Sequence, residues 1–227
     1  MAKVSRETPS TPEAARRAFP SARLGLAERF AGLLATEGVV RGLIGPREAE
    51  RLWDRHLLNC AALESALPHG SRVCDVGSGA GLPGLVLAIA RPDLSMELVE
   101  PLLRRTTFLD GVAAELGLTN VTVTRGRAEA LHGQRTFDVV TSRAVAPLAR
   151  LLEWSMPLVS PTGAMIAMKG SSVADEIEAA AGVLDGLGCA TPEVLELPGV
   201  GEGPGARAVR VRWARRSGPA GRRRRAS

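Results

Sequence analysis

Four glycines, Gly77, Gly79, Gly81 and Gly84, fall within the string Val73-Cys-Asp-Val-Gly-Ser-Gly-Ala-Gly-Leu-Pro-Gly84. The apolar run before them predicts a strand and the one after them predicts a helix. Glycine at such a junction admits positive φ and lets backbone N–H groups approach a ligand closely, beside the positive end of a helix. Gly79 to Gly84 fits the G-x-G-x-x-G spacing. Taken alone, that spacing suits NAD, FAD or S-adenosylmethionine, or a tight turn with no ligand.

Two acids bear on the choice. Asp75 stands two residues before Gly77, at the strand's end, where a carboxylate can meet a methionine amino group or order water beside it. Near a pyrophosphate the same charge would repel, so a dinucleotide has less use for it. Glu100 ends the next apolar run, 23 residues after Gly77, where an acid can accept both hydroxyls of a ribose. A solvated strand-end acid is the plainer reading of Glu100. Arg127-Ala128-Glu129 follows a third apolar run, the place for contacts to an adenine edge, although an acid at a helix start accounts for Glu129 equally well.

These residues must be held by regular elements. Apolar runs at Val73–Val76, Met96–Val99, Val121–Val123, Val139–Thr141 and Ala164–Met168 predict strands. Between them, Leu85–Arg91, Leu102–Leu116, Ala149–Met156 and Ala174–Leu187 predict helices. Such alternation predicts a mostly parallel sheet covered on both faces, with ligands outside the carboxyl ends of its strands. Glu193–Leu197 and Ala208–Trp213, joined by a Gly/Pro-rich turn from Gly199 to Gly205, predict an antiparallel C-terminal hairpin. Upstream, Arg23–Thr36 carries apolar residues at helical spacing, and a second helix is expected from Pro46 to Leu67, with Leu52, Trp53, His56, Leu57, Cys60 and Leu63 on one face. Residues 1–20 read as a flexible lead-in with a short helix at Glu13–Phe19.

The 227 residues suffice for one substantial domain. Aromatic residues are 3% with no Tyr, which argues against a stacking platform for single-stranded nucleic acid and leaves arginines to hold any RNA. Nine arginines and no acid lie between Ala206 and Ser227; without them the net charge of +5 becomes 5 − 9 = −4. A basic end on a mildly acidic body suits a polyanionic partner, or is simply a solvated tail. Cys60, Cys74 and Cys189 are widely spaced and odd in number, against a disulfide framework or a zinc site. The N-terminus carries no signal-peptide pattern, and the longest apolar stretch is too short for a membrane span. A soluble, cytoplasmic, metal-free protein is expected.

Longer strings narrow the choice. Arg55-His56-Leu57-Leu58, Asp75 through Gly84 with its Gly-Leu-Pro-Gly ending, Phe137-Asp-Val-Val-Thr-Ser-Arg-Ala144 and Met168-Lys169-Gly170 together resemble the glucose-inhibited division protein B family of bacterial 16S ribosomal RNA guanine-N7 methyltransferases. The similarity spans roughly residues 46–214. The string Glu100-Pro-Leu-Leu-Arg-Arg-Thr-Thr-Phe-Leu109 and the arginine-rich composition resemble the family's actinobacterial branch. Where relatives more often have Arg-His-x-x-Asp-Ser, this chain has Asn59-Cys60, so Asn59 is given no role.

The resemblance implies a Rossmann-like class I S-adenosylmethionine-dependent methyltransferase fold, with a helical cap at 21–70, a methyltransferase domain at 71–215 and a basic tail at 216–227. By position it places cofactor contacts on Gly77, Leu82, Ala128, Glu129 and Arg143; Asp75, Gly79, Gly81 and Glu100 join them from the reading above. Arg143 and Lys169, at strand ends, are the candidates to hold the cofactor carboxylate, an RNA phosphate or the guanine O6 edge, with Arg127 and Arg207 as further phosphate contacts. An ordinary exposed lysine is the alternative for Lys169. The implied substrate is guanosine 527 in the 530 loop of 16S rRNA, met as naked RNA, in the small subunit or in its precursor, by a monomer. Ring nitrogen 7 carries its own lone pair, so no acid or base is assigned; His56 reads as a core or interface histidine. Ser142 lacks a G-x-S-x-G surround and is set aside as a nucleophile. Rival readings are a class I methyltransferase for another substrate, a nucleotide-binding redox regulator and a non-catalytic rRNA-binding factor.

Overall fold

The computed structural model describes residues 10–199 and 205–214. The expected flexible start therefore lies outside the described residues up to residue 9, as do most of the Gly/Pro-rich turn and the basic tail from residue 215.

Seven strands form one sheet in the order β3-β2-β1-β4-β5-β7-β6: β1 Arg72–Val76, β2 Ser95–Glu100, β3 Val121–Arg125, β4 Phe137–Arg143, β5 Val159–Lys169, β6 Glu193–Leu197 and β7 Ala206–Val211. The first five are parallel. β7 inserts antiparallel between β5 and β6, so the predicted hairpin is present and its second strand carries the inner position. Each central strand is buried on both sides, as parallel pairing under two helical layers requires. Strict alternation sorts the side chains. Val73, Val139 and Ile166 face one core, and Cys74, Val140, Met165 and Ala167 face the other.

The first core lies under α1 (Glu13–Ala18), α2 (Leu24–Leu33), α3 (Pro46–Ala49), α4 (Asn59–Ala61), α5 (Gly84–Ala90) and α6 (Leu103–Glu115). The second lies under α7 (Leu148–Ser155), α8 (Val173–Ala179) and α9 (Ala181–Leu187). Two departures from the expected helices stand out. The run from Pro46 to Leu67 is not one regular helix: α3 is followed by a π-helical stretch, Leu52–Leu58, then α4 and a 3-10 turn, Ala62–Ala66. Apolar spacing marked its buried face (Leu52, Trp53, Leu57, Cys60, Leu63) but not its pitch, because the same residues can face inward with wider turns. The segment expected as one helix over 174–187 divides at Ala180, whose φ of −92° and ψ of 0° interrupt the regular turn between α8 and α9.

The upstream helices are continuous with the sheet's core: Phe30, Leu34, Leu57 and Leu63 share one cluster with Leu85 and Ile89. Phe19 meets Trp53 edge-on at 6.4 Å between ring centroids. This layer delivers the side chains of Glu48, His56 and Cys60 to the end of β4. Among the described residues, no helix is long and apolar enough to cross a membrane.

Candidate active site

Connections leave β1 toward β2 and β4 toward β5, so a crevice opens between the carboxyl ends of β1 and β4, where such sheets bind ligands. On one side stands the glycine turn. Gly77, Gly79 and Gly81 have φ of +73°, +57° and +89°, a region that L side chains avoid. The Gly77 and Ser78 amides both donate to Val99 O, at 2.8 and 3.2 Å, which ties the turn to β2.

Asp75 and Glu100 both face differently from what their positions suggested. Asp75 is completely buried beneath the turn. Its Oδ2 accepts the Gly84 amide at 3.0 Å, and its Oδ1 has no hydrogen-bond partner among the described residues. It therefore does not face the crevice, where an ammonium group would meet it. Burial pushes the Asp75 carboxyl up from 3.8 to about 7, against the lowering effect of the Gly84 amide and Ser78 and with the help of the Glu100 charge. Glu100 is also buried. Its Oε2 accepts the Gly79 amide (3.1 Å) and Arg105 Nη1 (3.3 Å), and its Oε1 accepts the Leu102 amide (3.0 Å). A buried acid at a strand end takes the donors that surround it, and in the structure those are backbone and arginine.

Asp75 gives a testable consequence. Its folded pKa lies above its unfolded value, so the folded state binds the extra proton. The resulting stability is complete below about pH 4 and is lost as pH rises to about 7. Asp75→Asn keeps the shape and the acceptor for Gly84. Its melting temperature is expected to vary less with pH than that of the unaltered protein, and to exceed it at about pH 8. Parallel pH profiles for the two proteins would contradict this account of Asp75.

Two pockets open at the strand ends, one beside the turn and one beyond Val145. The smaller, about 270 Å³, has Val76, Val99 and Pro101 as apolar walls and brings Gly77, Arg127, Ala128 and Glu129 together. The Arg127 side chain is exposed and makes no hydrogen bond or ion pair to another described residue. Leu82 lies outside this lining, half-buried against the first core. The larger pocket, about 630 Å³, has Arg143, Lys169, Arg207, Asn59 and Glu176 on its walls. Sheet register sets its cations in a row. Arg143 pairs in register with Met168, and Lys169 with Arg207, so three adjacent strands each end in a cation.

Each of those cations already has protein partners. Arg143 reaches the upstream helices, with Nη1 3.0 Å from Cys60 Sγ and Nη2 2.6 Å from His56 Nδ1 and 3.2 Å from Arg55 O. A guanidinium only donates, so Nδ1 of His56 must accept. Nε2, 2.9 Å from Glu48 Oε2, must then carry the ring proton. The result is a chain from carboxylate through neutral imidazole to guanidinium. Burial, and then the Arg143 charge, lower the His56 pKa, which keeps the ring neutral. The His56 bond is also the main cause of the lowered Glu48 pKa. His56 is thus an interface histidine, and no base is needed to explain it.

Lys169 is nearly buried and donates to Glu176 Oε2 at 2.7 Å and Ala146 O at 3.0 Å. Neither the exposed lysine nor a free cation describes it. Arg207 is paired with Glu196 across the hairpin, where the two residues are register partners. Asn59 lines the pocket and donates to Gly205 O at 3.1 Å. Glu48, Glu176 and Val145 went unremarked in the sequence. Seven residues separate Lys169 from Glu176, a spacing that signals a pair only once the turn between β5 and α8 is known. Among the described residues, no group of three or more His, Cys, Asp or Glu is placed to hold a metal ion.

The glycine cradle, its apolar flank and the Ala128–Glu129 edge fit an adenosyl cofactor: the turn's backbone is open at Gly79, where an added Cβ would meet nothing nearer than Gly77 O at 3.8 Å.

A family model described as GidB, rRNA small subunit methyltransferase G, matches residues 23–195. A ribosomal RNA small subunit methyltransferase G from a Nocardioides species is 69% identical over 93% of this chain and 84% of its own length. One from Salinispora tropica is 58% identical over 82% of this chain and 79% of its own. Among solved structures, a SAM-dependent methyltransferase from Aquifex aeolicus covers 77% of this chain and 96% of its own, at 16% identity and a TM-score of 0.53. The fold is the Rossmann-like one of class I methyltransferases, with an antiparallel edge.

Proposed function

The chain belongs to the rRNA small subunit methyltransferase G family, and from that premise we propose that it transfers a methyl group from S-adenosylmethionine to ring nitrogen 7 of a guanosine in 16S rRNA. The observation that carries this reading is the meeting of two unlike pockets at one switch point. The smaller, part apolar pocket beside the glycine turn suits the adenosyl group. The larger, cation-lined pocket suits a nucleotide.

S-adenosylmethionine supplies an electrophilic methyl group on a sulfonium. Nitrogen 7 of guanine presents an in-plane lone pair and has no proton to lose, so the protein's task is alignment and exclusion of water. Gly77, Gly79, Gly81, Ala128 and Glu129 are assigned to the cofactor, with Asp75 and Glu100 acting through the backbone they hold. Leu82 supports the turn from the core side. Arg143 is assigned to the wall of the nucleotide pocket, and Arg127, whose guanidinium has no partner among the described residues, to a phosphate. Lys169 and Arg207 shape the nucleotide pocket through their carboxylate partners.

The finer assignments follow the family resemblance: guanosine 527 of the 530 loop, a monomer working in the cytoplasm without a metal, a cap over 21–70 and a catalytic domain over 71–215. The arginines at 222–225 add counterion-releasing contacts to RNA. The rival redox reading requires affinity for NAD(H), whereas this one requires affinity for adenosylmethionine and adenosylhomocysteine and none for NAD(H). Methyl label should pass from adenosylmethionine to 16S rRNA, free or in small subunits, lacking the modification. Label in neither, under conditions where the cofactor binds, would overturn the enzymatic reading and leave a non-catalytic RNA-binding factor.

A further inference from the structure

The connection from β4 to α7 belongs to both pockets. Val145 lines the smaller pocket with Gly77 and Ala128, and the larger one with Arg143 and Lys169. Its side chain stands directly over the glycine turn: a Cβ placed on Gly77 would lie 2.6 Å from Val145 Cγ2 and 3.1 Å from Cγ1. It is 39% exposed, one of the few large apolar side chains in the described structure to be so. The backbone that presents it is held out of the ordinary. Ala144 has φ +54°, the one non-glycine residue with positive φ among those described, a conformation that persists only when its surroundings impose it.

Both ends of this loop are clamped. On the upstream side, Arg143 is fixed by Cys60, His56 and the Arg55 carbonyl. On the downstream side, Glu176 Oε2 accepts the Leu148 amide at 2.9 Å and Lys169 Nζ at 2.7 Å, and the same Nζ donates to Ala146 O. Two of the four residues between Arg143 and Leu148, Ala146 through its carbonyl and Ala144 through its strained φ, are thereby set, and Val145 stands between them. A nearly buried lysine and a carboxylate, paired with each other and each bonded to the backbone of this loop, point to a loop whose exact place matters.

We propose that Val145 is a positioning residue for methyl transfer: its isopropyl group, presented by a loop whose Ala146 carbonyl and Leu148 amide the Lys169–Glu176 pair holds, is the partition against which acceptor base and donor methyl are brought into line. The inference rests on the proposed function and adds to it the point where the two pockets meet. Val145 offers no group for acid, base or charge chemistry. Its contribution is to fill the junction, exclude water from it and fix the approach of the base.

The test separates alignment from folding and from binding. Val145→Ala should lower kcat about tenfold or more, because small misplacement of reacting groups is costly. Its melting temperature should stay close to that of the unaltered protein, and its affinity for adenosylhomocysteine should fall far less than kcat. Val145→Ile, which keeps the branched bulk, should recover most of the rate. Glu176→Gln, which loosens the clamp from α8, should lower kcat in the same way. Combined with Val145→Ala it should add little further loss, since the two act through one loop. An unchanged kcat in Val145→Ala, or losses that follow cofactor affinity in proportion, would overturn the proposal. So would full additivity of Val145→Ala and Glu176→Gln. The unaltered protein measured alongside keeps the two claims apart. If it transfers no methyl group, the function reading fails; if it does and Val145→Ala equals it, this inference alone fails.

Discussion

Arg143→Ala is expected to lower methyl transfer to RNA about a hundredfold in kcat/KM, with only modest loss of overall fold, because it removes the link between the sheet and the upstream helices at the rim of the site. Three acceptors converge on this guanidinium, Cys60 Sγ, Arg55 O and His56 Nδ1, and they come from one helical layer. Without it, Nδ1 of a half-buried imidazole has no donor, which costs on the order of 1–3 kcal/mol, and the loop carrying Val145 loses its upstream anchor. Arg143→Lys is expected to recover little, since a single ammonium on a flexible stem does not reproduce a planar fork. Steady-state transfer assays on the two variants, with melting curves alongside, check this. Activity of Arg143→Ala within a factor of about three of the unaltered protein would contradict it.

Gly84→Ala is expected to have the largest effect on stability. Gly84 opens α5 directly behind the turn, with ordinary φ, so the demand there is for space. An added Cβ would sit 2.3 Å from Leu98 Cδ2, 2.6 Å from Asp75 Oδ2 and 3.1 Å from Asp75 Cβ, all in the core. Neither neighbour can swing away: Leu98 lies in β2 and Asp75 in β1, both central. Overpacking of this kind costs roughly 1–3 kcal/mol, a drop of roughly 2–12 °C in melting temperature for a chain of this size. Separating α5 from β1 should also break the Gly84–Asp75 hydrogen bond and weaken cofactor binding with it. Gly111→Ala is the control. Gly111 lies exposed in the interior of α6 with open space around it, and alanine there should raise stability by about 0.5–1 kcal/mol. Equal melting temperatures for Gly84→Ala and the unaltered protein would show that the turn has room the distances deny.

What the sequence made legible follows from what apolar pattern encodes. Strand and helix order, the parallel sheet, the antiparallel end and the glycine turn were all readable, because burial on two faces and the need for positive φ leave direct marks on residue choice. The partners of the side chains at the strand ends were not. Asp75, next to last in β1, takes the Val73 face as alternation requires, and Glu100 ends β2; what leaves no mark in the sequence is which donors the fold brings to them, the Gly84, Gly79 and Leu102 amides and Arg105. Lys169 and Arg207 were read as free cations because their partners, Glu176 and Glu196, are brought near by tertiary packing and pairing register. His56 was placed correctly on an apolar helix face. Its bond to Arg143, 87 residues away, belongs to long-range packing and leaves no local trace. The π-helical stretch over Leu52–Leu58 escaped for a related reason: an inward-facing row of leucines fits several helical pitches.

The crevice between β1 and β4 is expected to align a guanine ring nitrogen with the methyl group of S-adenosylmethionine. The most direct measurement is to let the protein act on unmodified 16S rRNA and on small subunits with labelled adenosylmethionine, then to map the label to a nucleotide and an atom. One methyl group per RNA is expected, on nitrogen 7 of a single guanosine in the 530 loop, and far less of it with Arg143→Ala. Label on another atom, label spread over many guanosines, or no transfer by protein that binds the cofactor would contradict it.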